Sequence, residues 1–146
     1  MGVVRAAASI LLGLVLLAGC AAPPAPLAPD ASPEQVARRY FELQAAGREE
    51  PARSLVWRPS RFDGAVTDRS LRGLTDLRVE PSREDTVAGR PVIYLELAAL
   101  RMLVVRYERH KTSVTGEPPG QDLRFVLLGQ ETPGAPWLVV ETGTGP

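Results

Sequence analysis

The sequence predicts an α+β domain in which N-terminal helices pack on a curved antiparallel sheet. Apolar residues recur at helical spacing after Pro33, and from Leu71 onward the apolar period changes to two. Helices that precede a run of antiparallel strands cover one face of the sheet in this class of fold. A third observation is that the apolar periodicity typical of a folded domain begins only near Ser32, after an apolar N-terminal segment and a segment rich in proline and alanine. We therefore expect one domain over residues 32–146, a length that a single hydrophobic core suits.

The first of these segments has the features of a secretory signal. Arg5 is followed by an apolar run from Ala6 to Ala18, shorter than the roughly 20 residues that a spanning helix needs. A basic start, a short apolar core and small residues before a cleavage site are typical of signal peptides. The run ends in Leu17-Ala18-Gly19-Cys20, the signature of a bacterial lipoprotein signal. We expect residues 1–19 to be removed and the thiol of Cys20 to carry a diacylglycerol thioether, with its amine often acylated as well.

The second segment, residues 20–31, is rich in proline and alanine and lacks both periodicity and bulky apolar residues. Proline-rich chains favour the extended polyproline II conformation, with a rise of about 3.1 Å per residue, so this tether is expected to lift the domain roughly 30 Å. One acyl chain holds a protein on a membrane only marginally, whereas two or three hold it stably. The predicted location is the extracytoplasmic face of the cell membrane or envelope, with the lipid anchor as the contact to the membrane.

The first helix has a well-specified start. Ser32-Pro33-Glu34-Gln35 combines a serine cap, a proline at the first helical position and a glutamine placed to complete a capping box. Val36, Tyr40 and Leu43 then recur at helical spacing, and Gly47 is expected to end the helix. A second, shorter helix is predicted over residues 50–56.

Strands follow. Leu77 and Val79 alternate with charged neighbours, and Ile93, Leu95 and Leu97 alternate with Tyr94 and Glu96, so both stretches are predicted as strands. The strongest strand signal runs from Leu100 to Arg109, where Met102 to Val105 is apolar on both faces; such a strand is central in the sheet or covered by a helix. Further strands are predicted over residues 123–128 and 137–142, while the number of strands in residues 58–89 stays open.

Two parts of the chain resemble known families. Arg39-Tyr40-Phe41-Glu42-Leu43-Gln44-Ala45-Ala46-Gly47, followed by Ala52-Arg53-Ser54-Leu55-Val56, resembles the opening helices of nuclear-transport-factor-2-like and SnoaL-like cone folds. The segment Leu123–Leu128, a turn, and then Pro136–Pro146 resembles the C-terminal end of an uncharacterised lipoprotein family of Gram-positive bacteria, which pairs a lipobox with one such cone domain. The resemblance covers Pro33 to Pro146 in layout and is specific at its two ends. It implies a pocket between helices and sheet, which in relatives is an enzyme site, a ligand cavity or a partner-binding surface.

The amino-acid composition limits the partners and cofactors that we expect. The chain has 17 basic and 17 acidic residues, and a nucleic-acid-binding protein would show a basic excess. Cys20 is the single cysteine and lipidation would consume it, so no disulfide is expected. One histidine without a spare cysteine does not supply a nitrogen and sulfur ligand set, so we predict no metal site and no cofactor.

The candidate catalytic groups are few. His110 follows the end of a predicted strand among charged residues, where solvent is its expected neighbour, and a general base must reach its substrate within hydrogen-bond distance. Asp63, Asp68 and Asp76 lie in or near the middle segment, where aspartate favours turns through contacts with its own backbone. We therefore assign no catalytic residue, and a SnoaL-like hydrolase, isomerase or cyclase that uses one of these aspartates is the alternative.

The pocket candidates are Tyr40, Trp57, Arg106 and Trp137. Tyrosine and tryptophan combine apolar area with a polar tip, although both also fill cores. An arginine pointing into the domain would need an acidic partner or an anionic ligand. Three functions remain consistent with the sequence: a non-enzymatic envelope lipoprotein that binds a small ligand or an envelope protein in its pocket, a SnoaL-like enzyme, and a binding module that uses the outer sheet face.

Overall fold

The computed structural model describes residues 25–58, 69–85, 92–112, 116 and 118–143. In this part of the chain two α-helices precede five strands of one antiparallel sheet, so the predicted α+β class is confirmed. The helices are α1 (Pro33–Ala45) and α2 (Glu49–Ser54), and the strands are β1 (Thr75–Val79), β2 (Arg83–Asp85), β3 (Ala99–Arg109), β4 (Gly120–Gln130) and β5 (Leu138–Gly143). The predicted signal peptide (1–19), the predicted lipidation site Cys20 and the acids Asp63 and Asp68 lie outside the described residues.

Helix α1 begins as the sequence predicts. The hydroxyl of Ser32 accepts a hydrogen bond from the N–H of Gln35, and the side-chain carbonyl of Gln35 accepts one from the N–H of Ser32 at 2.7 Å. This reciprocal pair satisfies two of the N–H groups that a helix start leaves without partners. The helix ends at Ala45, and Gly47 follows with φ +67°, the left-handed conformation that glycine adopts most easily.

Helix α2 is shorter than predicted at its C-terminal end, because the chain there pairs with the sheet. Val56 forms a parallel bridge with Val139 of β5. The N–H of Trp57 donates to the carbonyl of Val139 at 2.8 Å, and the N–H of Val139 donates to the carbonyl of Leu55 at 2.8 Å. The end of α2 is thereby joined to the edge of the sheet, which positions the helical layer.

Strands β3 and β4 form a long hairpin with an unbroken register from Ala99 opposite Gln130 to Arg109 opposite Gly120. On its other side β3 pairs with β1 near one end and with β2 near the other, and β5 extends the sheet beyond β4. The sequence predicts that the strand containing residues 102–105 is central in the sheet or covered by a helix, and the structure gives it the central position.

Both faces of the sheet carry buried clusters, which explains why β3 is apolar on both sides. On the helix face, Leu103 and Val105 of β3 pack with Val126 and Leu128 of β4 beneath Phe41 of α1. On the opposite face a smaller cluster contains Trp57, Tyr94, Leu97, Leu100, Leu127 and Val140.

The strand predicted for residues 93–97 is wrong. Residues Val92–Glu96 form a 3-10 helix, and the burial of residues 94–97 does not follow the expected alternation. Tyr94 and Leu97 are buried in the smaller cluster, whereas Leu95 is 58% exposed. Side chains three residues apart lie on the same side of a 3-10 helix. The buried residues Tyr94 and Leu97 therefore have a spacing of three, and not the spacing of two that a strand requires.

Candidate functional site

A largely apolar pocket lies where the N-terminal segment meets the helical layer. Its walls come from residues 25–31, from α1 and α2, and from the turn Pro136-Trp137-Leu138 that leads into β5. Its volume is about 440 Å³, within the range of about 300–1,000 Å³ typical of small-molecule sites. The pocket therefore has the size of a ligand site and opens at the edge of the helical layer.

The apolar walls arise from the spacing of the sequence. Val36 and Leu43 are seven residues apart in α1, so both project from one face of the helix towards the pocket. Leu55 lines the pocket from the end of α2, and Trp137 lines it from the turn before β5. Leu27 closes the wall from the N-terminal segment and packs against the core cluster of the helix face.

The N-terminal segment is attached to the domain by specific contacts. A guanidinium nitrogen of Arg39 donates a hydrogen bond to the carbonyl of Ala25. The N–H of Ala31 donates to the carbonyl of Ala28 at 3.0 Å, and Ala31 is buried. Residues 25–31, which the sequence assigns to the tether, thus form one wall of the pocket.

Polar groups on the pocket wall have protein partners. A guanidinium nitrogen of Arg39 lies 3.8 Å from a carboxylate oxygen of Glu42. The hydroxyl of Ser54 donates to the carbonyl of Pro51 at 2.7 Å. The remaining lining is mostly aliphatic, proline and tryptophan, so the pocket favours an apolar ligand.

Aromatic rings pack with aliphatic side chains in the space between α1 and the sheet. Tyr40 and Phe41 meet edge to face with centroids 5.4 Å apart, and Phe41 and Tyr107 lie 5.8 Å apart. The resemblance to cone folds implies a pocket in this region. The apolar pocket lies instead at the side of α1, where residues 25–31 form one of its walls.

A second, polar cleft of about 280 Å³ lies at the far end of the sheet. It is lined by side chains of β1, β3 and β4, among them Asp76, Arg106 and Asp122. Asp76 has φ +52°, in the left-handed region that aspartate tolerates better than most residues. Arg106 is paired with Glu80, whose carboxylate oxygen lies 2.6 Å from the guanidinium Nε.

A hydrogen-bond network lies beside this cleft. The hydroxyl of Tyr107 accepts from Nε of Arg124 at 3.0 Å and donates to a carboxylate oxygen of Asp122 at 3.3 Å. Burial raises the pKa of Tyr107 above its ordinary value of 10.0, although the hydrogen bond and positive charge of Arg124 oppose this. Arg109, which is 4% exposed, lies 3.6 Å from Asp122 and donates to the carbonyl of Pro118 at 3.0 Å. The network therefore holds the hairpin end together.

The four pocket candidates occupy different environments. Trp137 lines the apolar pocket and Arg106 lines the polar cleft. Tyr40 is buried in the core, where its hydroxyl accepts from the amide of Gln44 at 3.2 Å. Trp57 is buried on the opposite sheet face, and its indole N–H donates to Glu131 at 3.1 Å. The structure therefore places the four residues in four different surroundings and not in one site.

Sequence reasoning missed Leu27 and Arg39 as pocket residues. Leu27 is the one bulky apolar side chain between Cys20 and Ser32. Its presence in an otherwise proline- and alanine-rich segment was the sequence feature that could have indicated contact with the domain. Arg39 is a charged residue beside Val36 and Leu43 on the pocket side of α1, and its bond to the carbonyl of Ala25 depends on tertiary structure.

The other predicted groups do not converge. His110 is exposed and its Nε2 lies 2.9 Å from the hydroxyl oxygen of Thr75. Within the described residues no group of three or more His, Cys, Asp or Glu side chains is arranged to hold a metal ion. The same part of the chain contains no helix with the length and apolarity needed to cross a membrane.

Comparisons of the chain with protein-family models, with curated proteins and with solved structures found no match.

Proposed function

We propose that this protein is a lipid-anchored extracytoplasmic lipoprotein whose single domain, of the nuclear-transport-factor-2-like cone type, binds a small ligand without transforming it. The observation that carries the proposal is the pocket of about 440 Å³. One of its walls is the segment that follows the lipoprotein signature at Cys20. The proposed anchor residue and one wall of the pocket therefore belong to one continuous stretch of chain.

Support for ligand binding comes from the contrast between the two described cavities. The apolar pocket has few polar groups on its wall, and those of Arg39 and Ser54 have protein partners. Proton-transfer chemistry needs a positioned acid or base within reach of the substrate. Among the described residues that line the pocket there is no aspartate, glutamate or histidine, so the chemistry of this lining fits binding better than catalysis.

Support for the cone type comes from the order and packing of the elements. In the described part of the chain α1 and α2 precede the sheet, α1 packs across one sheet face, and β3 and β4 form a long central hairpin. This arrangement agrees with the resemblance of residues 39–56 to the opening helices of cone folds.

The anchor is tested by expressing the full chain and its Cys20→Ser variant in a bacterium fed radiolabelled palmitate. The expected result is label and membrane retention for the unchanged chain, and loss of the label for the variant. Unchanged processing and membrane retention of Cys20→Ser would refute the anchor. The Cys20→Ser variant that also carries Ser54→Cys has one cysteine elsewhere in the chain and is the control for labelling of any thiol.

A second candidate is a SnoaL-like enzyme that uses an aspartate of the polar cleft. Asp76 lines this cleft with Asp122 and Tyr107 and has the positive φ noted above, which is a form of backbone strain seen at functional sites. An Asp76→Asn variant tests it in the organism of origin. Loss of the protein's phenotype at normal abundance would support the enzyme, and an unchanged phenotype would exclude Asp76 as its acid or base.

A further inference from the structure

We infer that the occupant of the apolar pocket is one acyl chain of a lipid in the membrane that holds the anchor. This inference rests on the proposed lipid anchor at Cys20 and goes beyond it by naming the ligand class. Three observations support it: the covalent distance between anchor and pocket, the pocket volume, and the chemistry of the wall.

The covalent distance keeps the pocket close to the membrane. Four residues separate Cys20 from Ala25, which lines the pocket. Five Cα-to-Cα steps span at most about 18 Å in a fully extended chain. Because Arg39 holds the carbonyl of Ala25 on the domain, the pocket wall stays within that distance of the lipidated residue. The most abundant apolar molecules at that place are the acyl chains of the bilayer.

The volume matches one chain. A methylene group takes up about as much space as a water molecule in the liquid, about 30 Å³. A pocket of about 440 Å³ therefore accommodates a chain of about 15 carbon atoms on that figure. A lipid with two acyl chains would leave its second chain outside, in the bilayer, which is favourable for a pocket that lies at the membrane surface.

The wall has the chemistry that such a lipid requires. Leu27, Leu43, Leu55 and Trp137 supply apolar surface from four separate parts of the chain. The guanidinium of Arg39 is engaged with the carbonyl of Ala25 and lies 3.8 Å from the carboxylate of Glu42, so Arg39 is committed to holding the wall. The methylene stem of arginine packs along apolar surface and adds to the apolar lining. The wall therefore offers an acyl chain a largely apolar surface.

Crosslinking tests the inference on the full chain expressed in a bacterium and purified from membranes. The protein is reconstituted into vesicles of phosphatidylcholine and phosphatidylglycerol that contain phosphatidylglycerol with a diazirine in one acyl chain. After illumination, digestion and mass spectrometry locate the adducts. The expected adducts lie on peptides that contain Leu27, Leu55 or Trp137, and adducts on the exposed Leu95 instead would overturn the inference.

Two variants and a matched control separate pocket binding from general contact with the bilayer. Leu27→Asp puts a charge on the pocket wall, and Ser54→Trp fills the pocket from the exposed end of α2 without removing a core side chain. Each is expected to lower the pocket adducts at least fivefold. Leu95→Asp makes the same change on an exposed leucine of the other sheet face and is expected to leave them unchanged. Circular dichroism checks that each variant is folded. Equal adducts in all variants would overturn the inference.

A second sample tests whether the bound acyl chain belongs to a bilayer lipid or to the anchor itself. The protein is labelled in the cell with a diazirine fatty acid, which enters the acyl chains of the anchor. Crosslinks between the Cys20 peptide and the pocket would identify the anchor as the occupant and overturn the assignment to a bilayer lipid. The mass of the N-terminal peptide reports lipidation. A lipidated Cys20 without pocket adducts overturns this inference and leaves the proposed anchor standing, whereas pocket adducts on a chain with unmodified Cys20 overturn the anchor and support acyl-chain binding.

Discussion

The carboxylate of Glu34, in the first turn of α1, accepts a hydrogen bond from the backbone N–H of Ser82 at 2.7 Å. This bond joins the start of the helical layer to the connection between β1 and β2. Burial by itself would raise the pKa of Glu34, but hydrogen bonds outweigh it and lower the pKa to about 2, first those from the hydroxyl and N–H of Ser82 and then those from the N–H of Glu34 and the hydroxyl of Ser32. The negative charge is also favourable at a helix N-terminus.

The first prediction is that Glu34 makes the fold sensitive to acid. Its pKa falls from 4.5 to about 2 on folding, so its ionised form stabilises the fold above the higher value, and this contribution is lost as the pH falls from there towards 2. Thermal unfolding followed by circular dichroism at neutral and acid pH measures it. Glu34→Gln is expected to lose less stability on acidification than the unchanged chain, and Glu50→Gln, an exposed residue in the first turn of α2, serves as the control. Equal acid sensitivity of all three proteins would contradict the role of Glu34.

The second prediction concerns the attachment of the N-terminal segment. Replacing Arg39 by alanine removes the hydrogen bond to the carbonyl of Ala25, a contact of about 1 kcal/mol that corresponds to roughly a fivefold change in local opening. Limited proteolysis of residues 25–31 should therefore become several times faster. Arg38→Ala on the same helix, whose guanidinium lies 3.5 Å from the carbonyl of Leu77, should leave the cleavage rate unchanged. The same rate for both variants would show that Arg39 does not hold the segment.

The third prediction concerns Gly129 in β4. A Cβ at this position would lie 2.8 Å from a methyl group of Leu97 and 3.1 Å from a methyl group of Val140. Gly129→Val should destabilise the fold by about 1–3 kcal/mol, the usual cost of overpacking. Gly143 is the matched strand glycine, because nothing lies within 4 Å of its Cβ position, and Gly143→Val should be close to neutral. Urea unfolding of both variants measures the difference, and a neutral Gly129→Val would mean that Leu97 moves aside freely.

The fourth prediction concerns the network at the hairpin end. Tyr107→Phe removes the hydroxyl that lies between Arg124 and Asp122, so two partly buried charged groups lose a partner. The expected loss is about 1–3 kcal/mol in the free energy of unfolding. Tyr94→Phe removes one hydroxyl contact, to Glu141 at 3.1 Å, and that carboxylate belongs to an exposed residue that water can solvate. Tyr94→Phe is therefore expected to lose less free energy of unfolding than Tyr107→Phe. Urea unfolding measures both variants, and a larger loss for Tyr94→Phe would contradict the role of the Tyr107 hydroxyl.

Local patterns determined much of the fold. The start of α1 depends on contacts three residues apart, between Ser32 and Gln35, so the sequence alone predicts it. The apolar stretch of β3 predicts a central strand because both of its faces need cover. The segment Val92–Glu96 was missed because a short apolar run fits a period of two or three equally well, and only packing of Tyr94 and Leu97 on the sheet decides between them.

The candidate site shows the same division. From the sequence alone came the lipoprotein signature at Cys20, the proline-rich segment after it, and Trp137 as a pocket candidate. Only the tertiary structure brought Leu27, Arg39 and Trp137 to one pocket, since these residues are far apart in the chain and no periodicity links them. The physical reason is that caps and alternation are read from neighbours in sequence, whereas a cavity is the space left between elements, and its walls are known only once those elements have packed.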